Sequence, residues 1–128
     1  MRELTEEWIG KAEGDYRSAH ILLAHGEEHI AEAVCFHCQQ CAEKYLKAFL
    51  QENRVRFRRE HDLMPLLEAC ISVDRDFEKI LKDLRRLEDY AVAIRYPGKI
   101  AQRSDAESAF AAATRVRAFV RRNLGLPG

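Results

Sequence analysis

Residues 30–52 read IAEAVCFHCQQCAEKYLKAFLQE, twenty-three positions without proline or glycine, and this stretch decides the fold class. At about 100° per residue, Ala31, Val34, Cys38, Cys41, Ala42, Tyr45 and Phe49 fall in a single apolar arc. Gln40, Glu43, Lys44 and Lys47 share a narrow stripe on the other side, at spacings of three, four and seven. The segment is a long amphipathic helix.

Working outward, a first helix is expected to start at the N-cap Thr5, with Glu6 and Glu7 set against the helix dipole. Leu4 and Ile9 have the spacing of a hydrophobic staple. Trp8, Ala12, Tyr16, Ala19 and Leu23 recur at helical intervals until Gly26 stops the run. After the second helix, residues 53–60 read as a loop that carries Arg54, Arg56, Arg58 and Arg59. Asp62 can cap a short third helix reaching about Ser72, with Pro65 in its first turn. A fourth helix is expected over residues 76–94 on Phe77, Ile80, Leu81, Leu84, Leu87 and Ala91, ended by Tyr96-Pro97-Gly98. Ser104-Asp105-Ala106-Glu107 has the form of a capping box. It opens a fifth helix on Phe110, Ala113, Val116 and Val120 that ends near Gly125. The expected fold is all-α, an up-and-down bundle of four long helices plus one short helix, in a single domain over residues 1–128.

Composition narrows the function. Apolar residues make up 47% of the chain, enough for a packed core. Lys plus Arg and Asp plus Glu each total 21, so no overall field draws polyanions, although local basic patches can. No apolar run approaches the roughly 18 residues of a membrane span, and the N-terminus lacks the order of a signal peptide. Four cysteines without an export signal point to reduced thiols in the cytoplasm.

Chemical motifs are sparse. The stripe of Gln40, Glu43, Lys44 and Lys47 reads either as a solvated face or as the lining of an anion-binding cleft. Cys35, Cys38 and Cys41, with Cys70 as a fourth, suggest a metal or cluster, but thiols at intervals of three sweep about 120° around a helix and diverge. They fit better as small buried hydrophobes, and neither metal nor cofactor is expected. His37, His20, His25 and His29 read as scattered surface polarity. Ser72, Ser104 and Ser108 sit at helix ends, where capping accounts for them, and no catalytic residue is assigned. There is no Gly-rich phosphate loop and no nucleophile elbow.

Three segments resemble the HEPN family, small helical domains named for nucleotide binding in higher eukaryotes and prokaryotes. Residues 38–48, CQQCAEKYLKA, look like its QQAxEKxLKA second helix. His61-Asp62-Leu63 is similar to the opening of its third helix. Leu87-Glu88-Asp89-Tyr90, followed by Arg95-Tyr96-Pro97, resembles the L-x-x-Y…RYP end of the fourth. The resemblance implies a bundle that often dimerises and is commonly encoded beside, or fused to, a minimal nucleotidyltransferase. Other branches are metal-independent ribonucleases, toxins among them, marked by Arg, four to six intervening residues, then His. Arg95 stands where that Arg is expected, yet Ile100, Ala101 and Gln102 fill the His positions. The chain thus looks like the RYP-type branch without the nuclease pair. Arg54 or Arg56 with His61 matches the spacing in the wrong place. The missing His matters because RNA cleavage needs a group that exchanges protons near neutrality, which Arg cannot do.

The leading expectation is a non-catalytic HEPN protein that binds a nucleotide or other phosphate ligand. It would be a homodimer and the accessory partner of a minimal nucleotidyltransferase, in a pair of the toxin–antitoxin kind. Gln40, Lys44, Lys47, His61, Arg95 and Tyr96 are the candidate ligand contacts, with Lys and Arg on phosphate and Tyr96 stacked on a base. RNA is a further candidate ligand. Two alternatives stand beside this one: a metal-independent ribonuclease using His61 or Glu43, and a module that only dimerises or neutralises a partner.

Overall fold

A computed structural model describes residues 1–93 and 96–128. The helices are α1 (Glu3–His25), α2 (Ala31–Glu52), α3 (Leu63–Val73), α4 (Leu81–Ala93) and α5 (Arg103–Asn123). This is the expected all-α bundle of four long helices and one short one, with no strand among the described residues. A single 3₁₀ turn, Glu28–Ile30, leads into α2, and a second, Arg75–Ile80, leads into α4. Neither Ile94 nor Arg95, at the expected end of the fourth helix, lies among the described residues. Among those residues no helix is long and apolar enough to cross a membrane.

The helix α2 is the axis of the bundle, with α1, α3, α4 and α5 all packed on it. Fourteen of its twenty-two residues are buried, so burial runs around the whole cylinder instead of one arc. The expected arc from Ala31 to Phe49 is inside, and Leu46, Ala48 and Leu50 add a second buried side. Small residues let the neighbours approach: Ala12 and Ala19 on α1, and Ala106, Ala109, Ala112 and Ala113 on α5, are buried against it. Leu63, Leu66 and Leu67 of α3 and Leu84 and Leu87 of α4 close the opposite side. At the base, Phe49 and Phe77 rings lie 4.2 Å apart, and Phe77 meets Phe119 edge-on at 5.0 Å.

Helix ends differ from expectation where a side chain is needed elsewhere. Thr5 does not cap α1; it is fully buried, and a threonine facing the core cannot reach back to the first amides. The N-cap lies three residues earlier, at Arg2, whose N–H donates to Glu52 Oε1 at 3.0 Å. Leu4 then lies inside the helix and exposed, which leaves no staple with Ile9. The α5 box is displaced too, by two: Asp105 Oδ2 accepts the Gln102 N–H at 2.8 Å, and Ser104 is within the first turn. The fourth helix opens as the 3₁₀ turn over residues 75–80, where Asp74 accepts the Asp76 N–H at 2.9 Å.

Three helix ends turn through the left-handed region, that of α5 at Gly125 (φ 77°). Gly26 (φ 76°) does so after α1, as a glycine readily can. After α2 the same role falls to Arg54 (φ 58°), with the Val55 N–H donating to Leu50 O at 2.9 Å and the Arg54 N–H to Gln51 O at 3.2 Å. This is a Schellman turn with arginine where glycine is favoured, a substitution costing about 1–2 kcal/mol. It sends residues 55–61 back along α2.

Candidate functional site

On α2, residues four apart share a face, so Gln39, Glu43 and Lys47 form a row beneath the returning loop. Gln39 Nε2 donates to the His61 carbonyl at 3.1 Å and pins the loop there. Gln40 Nε2 donates to Gln39 Oε1 at 2.8 Å and lies 3.5 Å from Glu43 Oε1. Glu43 Oε2 accepts from Lys47 Nζ at 3.0 Å, and His61 Nδ1 is 3.4 Å from the same oxygen. Glu43 is 2% exposed and Lys47 5%, so this part of the stripe is not a solvated face. Two charges at that depth persist because each neutralises the other. The Lys47 ammonium gains further from the rings of Trp8 and Phe57, 5.2 and 5.8 Å from their centroids. His61 alone turns outward, its side chain 74% exposed.

Just past His61, the first amide of α3 takes its acceptor from another helix. The Leu63 N–H donates to the Glu88 carboxylate of α4, while the Asp62 side chain makes no capping bond. A carboxylate there also favours the helix dipole. The three motif segments therefore converge on one spot: Gln39 to Lys47, His61 to Leu63, and Glu88.

The rest of the expected site is dispersed. Lys44 is one residue on from Glu43, and the 100° step carries it to the other side of Gln40. There its Nζ donates to Asp15 Oδ2 of α1 at 2.5 Å, and Asp15 Oδ1 lies 2.8 Å from His37 Nδ1. His37 is thus tied to a carboxylate and is not loose surface polarity. Tyr96, in the turn after α4, is 64% exposed. Of the six expected contacts, Gln40, Lys47 and His61 are brought together, Lys44 faces α1, and Arg95 lies outside the described residues.

The model of the HEPN domain family matches residues 5–123 of the chain. The chain belongs to the HEPN family. It is similar in structure to an archaeal HEPN homologue seen by crystallography, 26% identical, over 97% of this chain and 99% of that one, with a TM-score of 0.72. A crystal structure from Thermus thermophilus shares the fold at 23% identity, over 94% of this chain and 98% of that one, again with a TM-score of 0.72. No curated protein matches the chain.

This HEPN bundle has a second polar cluster that spacing along the sequence does not disclose. Glu13 of α1 accepts two bonds from Arg117 of α5, from Nε and Nη2, each at 2.7 Å. The Tyr45 hydroxyl donates to it at 2.7 Å, and Arg121 Nη1 lies 3.5 Å away while donating to the Tyr45 oxygen at 3.2 Å. The Arg117 bonds hold the Glu13 carboxyl below the usual carboxylate range, against the opposing effect of burial. Burial and the Glu13 acceptor push the Tyr45 phenol up. A hydroxyl-bearing Tyr45 within an apolar arc was the one available signal, since a buried phenol requires a partner.

The thiols pack as hydrophobes. Cys38, Cys41 and Cys70 are fully buried and Cys35 nearly so. Burial raises the Cys35 thiol to about 11 and Cys70 to about 12, so neither is a thiolate nucleophile at neutral pH.

Proposed function

We propose that the chain is a non-catalytic HEPN binding module of the RYP type. It takes a nucleotide or related phosphate ligand beside His61 and acts in the cytoplasm, as a homodimer, as the accessory partner of a minimal nucleotidyltransferase in a toxin–antitoxin-like pair. The observation that carries the ligand reading is the convergence of the three motif segments under an outward-facing His61 imidazole. His61 and Arg95 would face phosphate, with Tyr96 offering an exposed ring for a base. Lys44 and Lys47 are already neutralised by Asp15 and Glu43, so their part is to fix the charge and shape behind the ligand. With no His at positions 100–102, Arg95 lacks the proton-exchanging companion of the nuclease branches.

Calorimetric titration with ATP and GTP tests this. Saturable binding is expected, and it should be lost in His61→Ala/Tyr96→Ala and weakened in Lys44→Ala/Arg95→Ala, with the former's melting temperature little changed. Undiminished binding by both variants removes the site. Co-purification of a neighbouring nucleotidyltransferase tests the partner.

One contact favours the ribonuclease alternative. An exposed imidazole beside a buried carboxylate, at the end of a loop with four arginines, is an arrangement suited to general-base chemistry. RNA cleavage in EDTA that vanishes in His61→Ala would establish it, and intact RNA would leave the binding module.

A further inference from the structure

At the end of the bundle formed by the start of α1 and the end of α2, an open groove of about 920 Å³ runs beside the returning loop. Arg2, Arg54 and Arg56 line it together with Trp8, Phe57 and Gln51, and no carboxylate contributes to its walls. Glu52, next to the lining residue Gln51, accepts the Arg2 amide. Arg54 and Arg56 are exposed, and among the described residues neither is paired with an acid. The chain as a whole is neutral, so these cations make a local field on an otherwise balanced surface. Trp8 and Phe57 are half-buried, and their rings meet edge-on with centroids 6.1 Å apart. Lys47 supports both rings from within, which fixes them in place. Arg54 holds its position through the left-handed turn, where glycine would fit without strain.

We infer that this groove binds a single-stranded oligonucleotide, with a base against Trp8 and successive phosphates on Arg54, Arg56 and Arg2. Cations along a channel floored by fixed aromatic rings are what a single strand needs: charge for the backbone and a flat face for each base. An acidic peptide would match the cations but not the rings. Enclosed small-molecule pockets span roughly 300–1,000 Å³; this groove is near the upper end and open along its length, which suits a strand. The inference stands apart from the His61 ligand reading, since the two regions share only Lys47, buried between them.

Trp8 is the only tryptophan in the chain, so its emission reports the groove directly. Single-stranded RNA and DNA of about ten nucleotides, within the usual site size of such channels, would be titrated at low salt by Trp8 emission and by anisotropy of a labelled strand. Saturable quenching is expected, and the tighter of the two strands names the natural class. Arg54→Ala/Arg56→Ala should weaken binding at least tenfold and lower the salt slope by roughly 0.7 for each phosphate no longer neutralised, with an unchanged melting curve. The Trp8→Phe variant should bind several-fold more weakly by anisotropy, and His61→Ala/Tyr96→Ala should bind as the native chain does. Absence of quenching, equal binding by the double-arginine variant, or loss of binding only in the His61/Tyr96 variant would each overturn the assignment. So would inorganic polyphosphate binding as tightly as the strands.

Discussion

Glu13 and Glu43 lie on opposite faces of α2, one held at Tyr45 and the other two residues earlier on the helix itself. Glu13 is satisfied by groups from two other helices: two bonds from Arg117 and Arg121 alongside on α5, and one bond from Tyr45 on α2. Glu43 has one short partner, Lys47 from its own helix, and longer contacts to Gln40 and to an imidazole that stands mostly in solvent. The first cluster has all its partners on packed helices and fastens α1 to α2 and α5. The second has a partner at the surface that can exchange. A half-buried acid thus serves as clamp and a buried one as site, according to whether the last donor is inside or outside.

The largest effect expected from breaking this comparison is at Glu43. Glu43→Ala leaves the Lys47 ammonium buried against two rings without its carboxylate, and should cost about 3 kcal/mol in urea unfolding. His61→Ala, on the solvent side of the same contact, should change stability by less than about 0.5 kcal/mol. Equal losses in the two variants would mean that the loop, and not the buried pair, holds this face together.

Arg117→Ala tests the clamp. Removing two charge-assisted bonds from a partly buried acid should cost about 2 kcal/mol, measured by the same unfolding. Because the folded protein lowers the Glu13 pKa, the acid's contribution is fully present above its ordinary value of 4.5 and lost as pH falls through the lower folded value. Stability of the native chain should therefore fall on acidification below about pH 4.5 more steeply than that of Arg117→Ala. Parallel acid profiles would show that Glu13 gains nothing from the arginine.

The smallest effect concerns the turn that carries the loop to the open side. Arg54→Gly relieves the left-handed arginine but adds freedom to the unfolded chain. The net is expected between no change and a gain of about 1 kcal/mol, read from the melting temperature. A clear loss would show that the Arg54 side chain contributes packing at that bend.

The helices were legible because spacing alone reports which side chains share a face, and Ala31 to Phe49 all went inside. Their ends were less so: Thr5 and Ser104 are good caps by type, but one is drawn into the core and the other displaced by the reach of Asp105. The stripe of Gln40, Glu43, Lys44 and Lys47 could not be resolved on a wheel, because its burial depends on a loop folding back over it. Only the family resemblance joined the segments at Gln39, His61 and Glu88. Glu13 and Arg117 are 104 residues apart, and no periodicity links such positions.

The four cysteines have one more use. All lie between residues 35 and 70, on α2 and α3, and none reaches solvent in the folded state. A thiol reagent can modify them only when the centre of the bundle opens, so labelling rates would clock rare excursions under native conditions. Cys70, whose Sγ lies 3.8 Å from the Leu46 carbonyl, sits where α3 rests on α2. If it reacts ahead of Cys38 and Cys41, α3 peels away first, carrying the His61 segment with it while the axis of the bundle stays shut.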